Sequence, residues 1–463
     1  MTFSEKKKSP AGLIIIILTI LIGGAVGYLY LSPAFEQNKP VIKAPLSVYW
    51  NLKSKLTINI EDESGIKYYK VTFKDGQRDI ILNKAVLNTI EKNITIDINP
   101  PKLDMFYKGK NCTIEIEAVD NSKWNLLEGN KIVKSINVKI DTKKPIANVV
   151  ANSRYIQRGG SAVVVVKVVD DNLKDAYISF NGEYNFKLTP YYANNYYASL
   201  IAWPIDLKEF HNVMLIAIDK AGNKTYAKVP LYIQSKRFKV DKINLDKKFV
   251  DTISRSVLEQ SGETVPSTVK DIFIYSNSVL RKTNVDAIKK VAIDAMENDM
   301  LPTWKVKAFK RLRGSKTVAS YAQRRHYYLD GEKINEAWHL GMDWASVRQA
   351  PVKVTNKGKV IFNDYLGLYG NTIIIDHTLG LATLYAHTSS QDVSAGQMVI
   401  NNQKIANTGA TGAVFGDHLH FGVLVQGIEV NPIEWMDRNW IKVRIDNILK
   451  LAQKDIDSSI NKK

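Results

Sequence analysis

Cysteine is almost missing from this chain of 463 residues, where Cys112 stands alone. No intrachain disulfide can form, so stability must come from packing and from any bound metal. Acidic side chains are also scarce: 46 Asp and Glu face 64 Lys and Arg, a formal charge of +18. That excess favours an acidic surface such as nucleic acid, anionic lipid or a carboxylate-bearing polymer. The lysines are scattered, apart from Lys6-Lys7-Lys8 and Lys462-Lys463. No nucleic-acid motif accompanies them, so nucleic acid is set aside as a partner.

What is present begins with a nearly unbroken apolar stretch, Ala11 to Leu31, of about the length a helix needs to span a bilayer. The lysines at 6–8 precede it, and a basic flank of this kind stays in the cytoplasm, so everything after about Ser32 is exported. No Ala-x-Ala-like cleavage site comes after Tyr28-Leu29-Tyr30-Leu31, and the run is longer than a usual signal core. An uncleaved anchor is therefore expected rather than a cleaved signal peptide. The chain reads as a single-pass protein of the inner (cytoplasmic) membrane, working in the periplasm or cell-wall space. In that bacterial setting the glycosylation-like Asn111-Cys112-Thr113 is a chance match.

Downstream, the chain echoes itself. Ile58 to Lys67 finds a counterpart in Val166 to Lys174, and Ile116 to Ser122 in Leu215 to Asn223. Each copy is a series of short, alternating, β-branched runs broken by Asp, Asn, Gly and Pro, the pattern of an immunoglobulin-like β-sandwich. The joint falls at Asp141-Thr142-Lys143-Lys144-Pro145. Asp62, Asp120, Asp170 and Asp219 recur at strand ends, where turn-forming carboxylates explain them without calcium. From about Asp246 to Leu301 the period becomes helical, with Phe249, Ile253 and Val257 on one face and Ile288, Val291, Ala292 and Ala295 on another. That segment either positions the C-terminal part of the chain relative to the sandwiches or covers a groove in it. After Trp435 a short packed helix is expected, fraying from Asp455 to Lys463.

Chemistry gathers in the last third, where five of the seven histidines lie between His339 and His420. A catalytic zinc site takes three protein ligands from imidazoles and carboxylates and leaves a position for water, whose pKa falls to about 7. On an extended strand His418 and His420 project to one side, so that one can hold a metal while the other faces substrate. His339 and Asp343 flank Gly341, which lets an irregular strand turn both inward. His387 ends the strand-like run Ala382 to Ala386. Gly409, Gly412 and Gly416 punctuate the approach to His418 and suit either positive φ or a close substrate backbone.

These stretches resemble the LytM/lysostaphin-type zinc metallopeptidases that cut peptidoglycan peptides. The resemblance covers roughly Lys316 to Trp435 and rests on His339-Leu340-Gly341-Met342-Asp343, Gly370 to His377, Leu384-Tyr385-Ala386-His387, Asn407 to Gly412, Gly416 to Phe421 and Asn431-Pro432. It implies that His339, Asp343 and His420 ligate Zn2+, while His387 and His418 are unligated histidines that handle protons and steady the tetrahedral intermediate. No His-Glu-x-x-His helix occurs in the chain, which disfavours a thermolysin-like site. The family usually shows Phe-Gly ahead of an Arg where this chain has Tyr321-Ala322-Gln323-Arg324-Arg325. His377 is assigned a structural hydrogen-bonding role, and His211 and His326 are read as surface residues.

The expected architecture is multidomain and mostly β. It comprises a cytoplasmic basic N-terminus at 1–10, a transmembrane helix at 11–31, immunoglobulin-like modules at 45–144 and 145–236, a helical linker subdomain at 246–310, an antiparallel β peptidase domain at 316–436 and a C-terminal helix and tail at 437–463. The expected function is a membrane-anchored endopeptidase acting on peptidoglycan cross-links, together with a regulatory protein partner. A carboxypeptidase trimming stem peptides and a non-catalytic activator of wall amidases are the alternatives.

Overall fold

The computed structural model describes residues 11–104 and 107–461. The basic clusters at Lys6-Lys7-Lys8 and Lys462-Lys463 lie outside them. Two compact units emerge: the described residues through Lys144 together with Asp219–Asn223, and those of Pro145–Ile218 with Lys224–Lys463.

In the first unit, Ala11–Leu31 is a continuous helix of 21 residues with none buried. A six-stranded sheet comes next, in which Leu56–Lys74 pairs along its length with Asp79–Ile98 and, over its second half, with Asn111–Asp120. The ladder slips between Glu61 and Ile66, where Gly65 takes φ +86° and any β-carbon would sit 2.7 Å from Ile90 Cγ2. Only glycine fits such a bend. The core is Ile-rich, packing Ile58, Ile60, Ile114 and Ile116 against Trp50 and Phe73.

The second unit opens with two four-stranded sheets. One joins Tyr184–Lys187, Leu173–Phe180, Val213–Asp219 and Lys224–Lys228; the other joins Thr189–Pro190, Tyr196–Ala202, Ser161–Val169 and Ile146–Asn152. Helices then run from Lys247 to Asp294. Val257, Leu258, Ile272 and Phe273 are buried there beside Tyr327 and Leu368. A strand that helical periodicity did not foretell, Val240–Asn244, pairs in parallel with Arg324–Leu329.

The C-terminal part is an eight-stranded sheet whose middle strands are Leu419–Val425, Leu381–Ala386 and Asn371–Asp376, with Met342–Ala345 on the far side of Leu419–Val425. All seven residues of Leu419–Val425 and all six of Leu381–Ala386 are buried. Strands covered on both faces read as apolar runs rather than alternating ones. Beyond Trp435 the chain is more ordered than its sequence suggests, because helix Asn447–Ile460 buries Leu449, Ala452 and Ile456. Seven residues separate Leu449 from Ile456, two helical turns, so the packed face extends into the stretch expected to fray.

Candidate active site

Sheet register assembles the site. Asp343 on Met342–Ala345 lies opposite His420 on Leu419–Val425, and Ala386 flanks His420 on its other side. The next residue, His387, turns out of the sheet with φ +62°, a conformation uncommon for a residue with a β-carbon. His339 is tied in place through its own backbone, its N–H donating to Gln323 O at 2.9 Å and its carbonyl accepting from Ala322 N at 2.8 Å.

His339 Nε2 lies 3.0 Å from Asp343 Oδ2 and 3.3 Å from His420 Nδ1. His420 Nδ1 lies 2.8 Å from Asp343 Oδ1. All three side chains are buried, and one ligand-type atom from each falls within 4.8 Å of the others. The outer nitrogens fix the tautomers, since a carbonyl can only accept. His339 Nδ1–H donates to Ser320 O at 2.9 Å, and His387 Nδ1–H to Thr411 O at 2.8 Å. His418 Nδ1–H donates to Gly416 O at 2.8 Å. In the neutral form of these three rings the lone pair is therefore on Nε2. The His387 and His418 rings stand 4.9 Å apart, and His387 lies 5.7 Å from His420.

Burial, only partly opposed by Asp343, lowers the His339 pKa to about 4. Burial and the neighbouring imidazoles hold His387 well below the usual range. Both rings are neutral at pH 7, as metal binding and proton acceptance require. Burial alone would raise the Asp343 carboxyl, but His339 and then His420 hold it well below the usual range. The donor set of two imidazoles and one carboxylate on a shared centre fits zinc.

Several groups at the site escaped sequence reading. Arg325 Nη2 sits 3.6 Å from Asp343 Oδ2. Glu429 is buried and accepts from Tyr369 Oη at 2.5 Å, with burial pushing its pKa up to about 7. The Tyr369 ring meets His420 edge-on at 5.6 Å. A lone acid inside Gly427-Ile428-Glu429-Val430-Asn431 was the available signal for Glu429. A cavity of ≈590 Å3 opens over the histidines, and its far wall comes from the helical segment through Phe249, Phe273, Asn277 and Arg281. Phe249 stacks on Phe415 at 3.9 Å across it.

The remaining histidines stay outside the cluster. His377 is buried, Nδ1–H donating to Lys357 O and Nε2 accepting from Thr383 Oγ1, both at 2.9 Å. His211 is exposed, with 61% of its side chain open. His326, read as a surface residue, is instead half-buried with Nε2 3.4 Å from Glu336, because Arg324–Leu329 is the middle strand of its three-stranded sheet.

Residues 337–432 match the family described as Peptidase family M23. The C-terminal part of the chain is a domain of that family, of the LytM type. Among curated relatives, the DD-carboxypeptidase/endopeptidase Mpg of Neisseria meningitidis serogroup B is 37% identical over 95 residues, 20% of this chain and 22% of its own. The peptidoglycan DD-endopeptidase ShyB of Vibrio cholerae is 42% identical over 96 residues, 21% of this chain and 22% of its own. The murein hydrolase activator EnvC of Escherichia coli is 35% identical over 109 residues, 23% of this chain and 26% of its own. The matches thus span about a quarter or less of the relatives' length. Similar solved structures include the catalytic domain of lysostaphin from Staphylococcus simulans, 26% identical with a TM-score of 0.23, covering 27% of this chain and 94% of that one. A zinc-containing peptidase from Vibrio cholerae is 16% identical with a TM-score of 0.25, covering 72% and 83%.

Proposed function

We propose that this chain is a membrane-anchored zinc endopeptidase that hydrolyses peptide cross-links of bacterial peptidoglycan. The observation that carries the reading is the convergence of His339 Nε2, an Asp343 oxygen and His420 Nδ1, with the lone pairs of His387 and His418 beside them, inside a Peptidase family M23 domain. The activities in the names of Mpg and ShyB support the substrate class. In this reading 11–31 is the anchor, 45–144 and 145–236 are immunoglobulin-like modules, 246–310 is a helical linker, 316–436 is the peptidase and 437–463 its tail.

His339, Asp343 and His420 would hold one zinc ion, which when bound polarises the scissile carbonyl and acidifies water. The other groups handle binding and protons. His387, neutral and fixed through Thr411, accepts a proton at Nε2 during attack. His418, fixed through Gly416, donates to the tetrahedral oxygen or the departing amine once protonated. Arg325 and Arg281 add positive charge to a groove that receives a carboxylate-bearing stem peptide.

The test uses the full chain in nanodiscs with purified sacculi. Cross-linked fragments should be released, stopped by a chelator and restored by zinc, with masses that identify the bond cut. Loss of single terminal residues from uncross-linked stems would instead make it a carboxypeptidase. Metal-free protein that releases nothing alone but stimulates an amidase would make it an activator, the role in EnvC's name. Normal hydrolysis by His339→Ala would sink the metal assignment.

A further inference from the structure

The first unit exposes apolar side chains beside the end of the helix Ala11–Leu31. Leu126 is 97% exposed and Leu127 64%, and the short turn Trp124–Leu127 that carries them has left-handed backbone at Asn125, Leu126 and Leu127, with φ 51°, 59° and 73°. Bulky residues avoid that region, and here two leucines follow Asn125 in it with their side chains exposed. Strain of this kind persists only where the surroundings enforce it. Hydrogen bonds do so: Leu127 N donates to Lys123 O at 3.2 Å, Gly129 N to Trp124 O at 3.1 Å and Asn125 Nδ2 to Gly129 O at 3.0 Å. The turn is a fixed projection, not a loose loop.

The same turn is fastened to the helix exit. Lys123 N donates to Ala34 O at 2.7 Å, while Ser122 Oγ and Asn130 Nδ2 donate to Glu36 O at 2.7 and 2.9 Å. Trp124 meets Tyr30 edge-on at 5.9 Å, and Tyr28 meets Phe35 at the same separation. Tyr and Trp gather where a spanning helix leaves the hydrocarbon, because their rings suit the headgroup level. If the helix spans, Trp124 lies at that level, and two exposed leucines next to it lie at the acyl boundary. Ile90, 72% exposed, lies against Gly65, whose carbonyl accepts from Asn121 N at 2.8 Å, three residues before Trp124.

We propose that Leu126 and Leu127, with Trp124 and Ile90, form a second membrane contact that dips into the outer face of the bilayer and fixes the first unit against it. The proposal rests on the reading of Ala11–Leu31 as an uncleaved anchor. Its occupant is the lipid surface, because the apolar projection is continuous with the end of a helix that has no buried residue and a mean hydropathy of 2.5. Burial of the leucines in acyl chains offsets their exposure to water.

The experiment places single reporter cysteines in the full chain, in a Cys112→Ala background, and reconstitutes it in phosphatidylcholine nanodiscs carrying doxyl-labelled lipid. A fluorophore at Leu126→Cys or Leu127→Cys should be quenched several-fold more than one at Leu46→Cys. Leu46 is open too, at 77%, between Leu127 and Leu126, but its carbonyl accepts from Asn137 N, six residues along the strand from Lys131, about 20 Å away at ordinary strand rise. A fluorophore at Ile17→Cys reports the anchor. Quenching at 17 but not at 126 or 127 would overturn the membrane contact and leave the anchor standing. Quenching at none of the three would overturn both. Equal quenching at 46 and 126 would also overturn the contact, since the lipid would then not be selecting this turn.

Discussion

Two groups of metal-ligand side chains come together among the described residues, His339 with Asp343 and His420, and Glu36 with Asp62 and Asp120. They are built in opposite ways. In the first, the Ser320 carbonyl takes up His339 Nδ1–H, so that His339 Nε2 and His420 Nδ1 both face the Asp343 carboxylate, and the neighbouring His418 and His387 are held in the same way by Gly416 and Thr411. In the second, the carboxylates are spent on their own turns: Asp62 Oδ1 accepts from Ser64 N at 2.8 Å, and Asp120 Oδ1 from Ser122 N at 3.0 Å and Asn130 N at 2.8 Å. Carboxylates used to close turns are poor candidates for a metal, whatever their number. The contrast teaches that the direction of the free lone pairs, more than residue type, marks a ligand site.

The sharpest way to break this contrast is Asp343→Ala. Zinc measured by mass spectrometry of purified protein should fall from about one per chain to background, and release of sacculus fragments should stop with it. His387→Ala should separate the roles within the site. Its zinc content should stay whole while turnover drops by roughly 10²–10⁴, the range of a lost proton-transfer group. Retained turnover would remove His387 from the chemistry.

Gly341→Ala probes how closely the scaffold holds the ring. A β-carbon there would sit 2.5 Å from His420 Nε2 and 2.7 Å from Phe421 O, so His420 must shift. Zinc affinity by competition with a chelating dye should weaken about 10–100-fold, as for other lost supports of a ligand. The acidic cluster should behave otherwise. Asp120→Ala strips the buried amides of Ser122 and Asn130 of their acceptor and should destabilise the first unit by about 1–3 kcal/mol in denaturant titrations, with zinc content untouched. Loss of zinc in Asp120→Ala would undo the comparison.

The smallest effect concerns Glu434, whose carboxylate accepts from Gln157 Nε2 at 2.7 Å and Ser161 N at 2.9 Å. Burial pushes its pKa up from 4.5 to about 7, so the folded chain holds the proton more tightly than the unfolded one. The stability this adds is fully present below pH 4.5 and is lost as pH rises through 7. Glu434→Gln should flatten the fall in unfolding free energy between those values. An unchanged slope would exclude Glu434 as its source.

Much of the C-terminal site was legible because its residues sit at short spacings: His339 and Asp343 around a glycine, His418 and His420 two apart, His387 at the end of an apolar run. Arg325 and Glu429 were not, since a lone acid in an apolar run points to burial without saying what it lies against, and nothing local shows which way Arg325 turns. The helical period between Asp246 and Leu301 was visible, and a cover for the groove was one of the two places it allowed; only the packing shows that Phe249, Phe273, Asn277 and Arg281 line the cavity. The tail from Asp455 looked polar enough to fray, and only the packing of Ile456 shows why it stays helical.

By itself the sequence determined the elements and the chemistry at hand: an apolar helix of spanning length, β-rich stretches with turn-closing carboxylates, and the imidazoles and carboxylate that a metal can use. Those come from local spacing and side-chain type, which a chain carries with it unfolded. Tertiary structure alone decided which lone pairs face one another, that Asp343 and His420 are register partners across 77 residues, and that Leu126 and Leu127 project beside the helix exit. Such facts depend on strand pairing and on desolvation, and both arise only when distant segments are brought together.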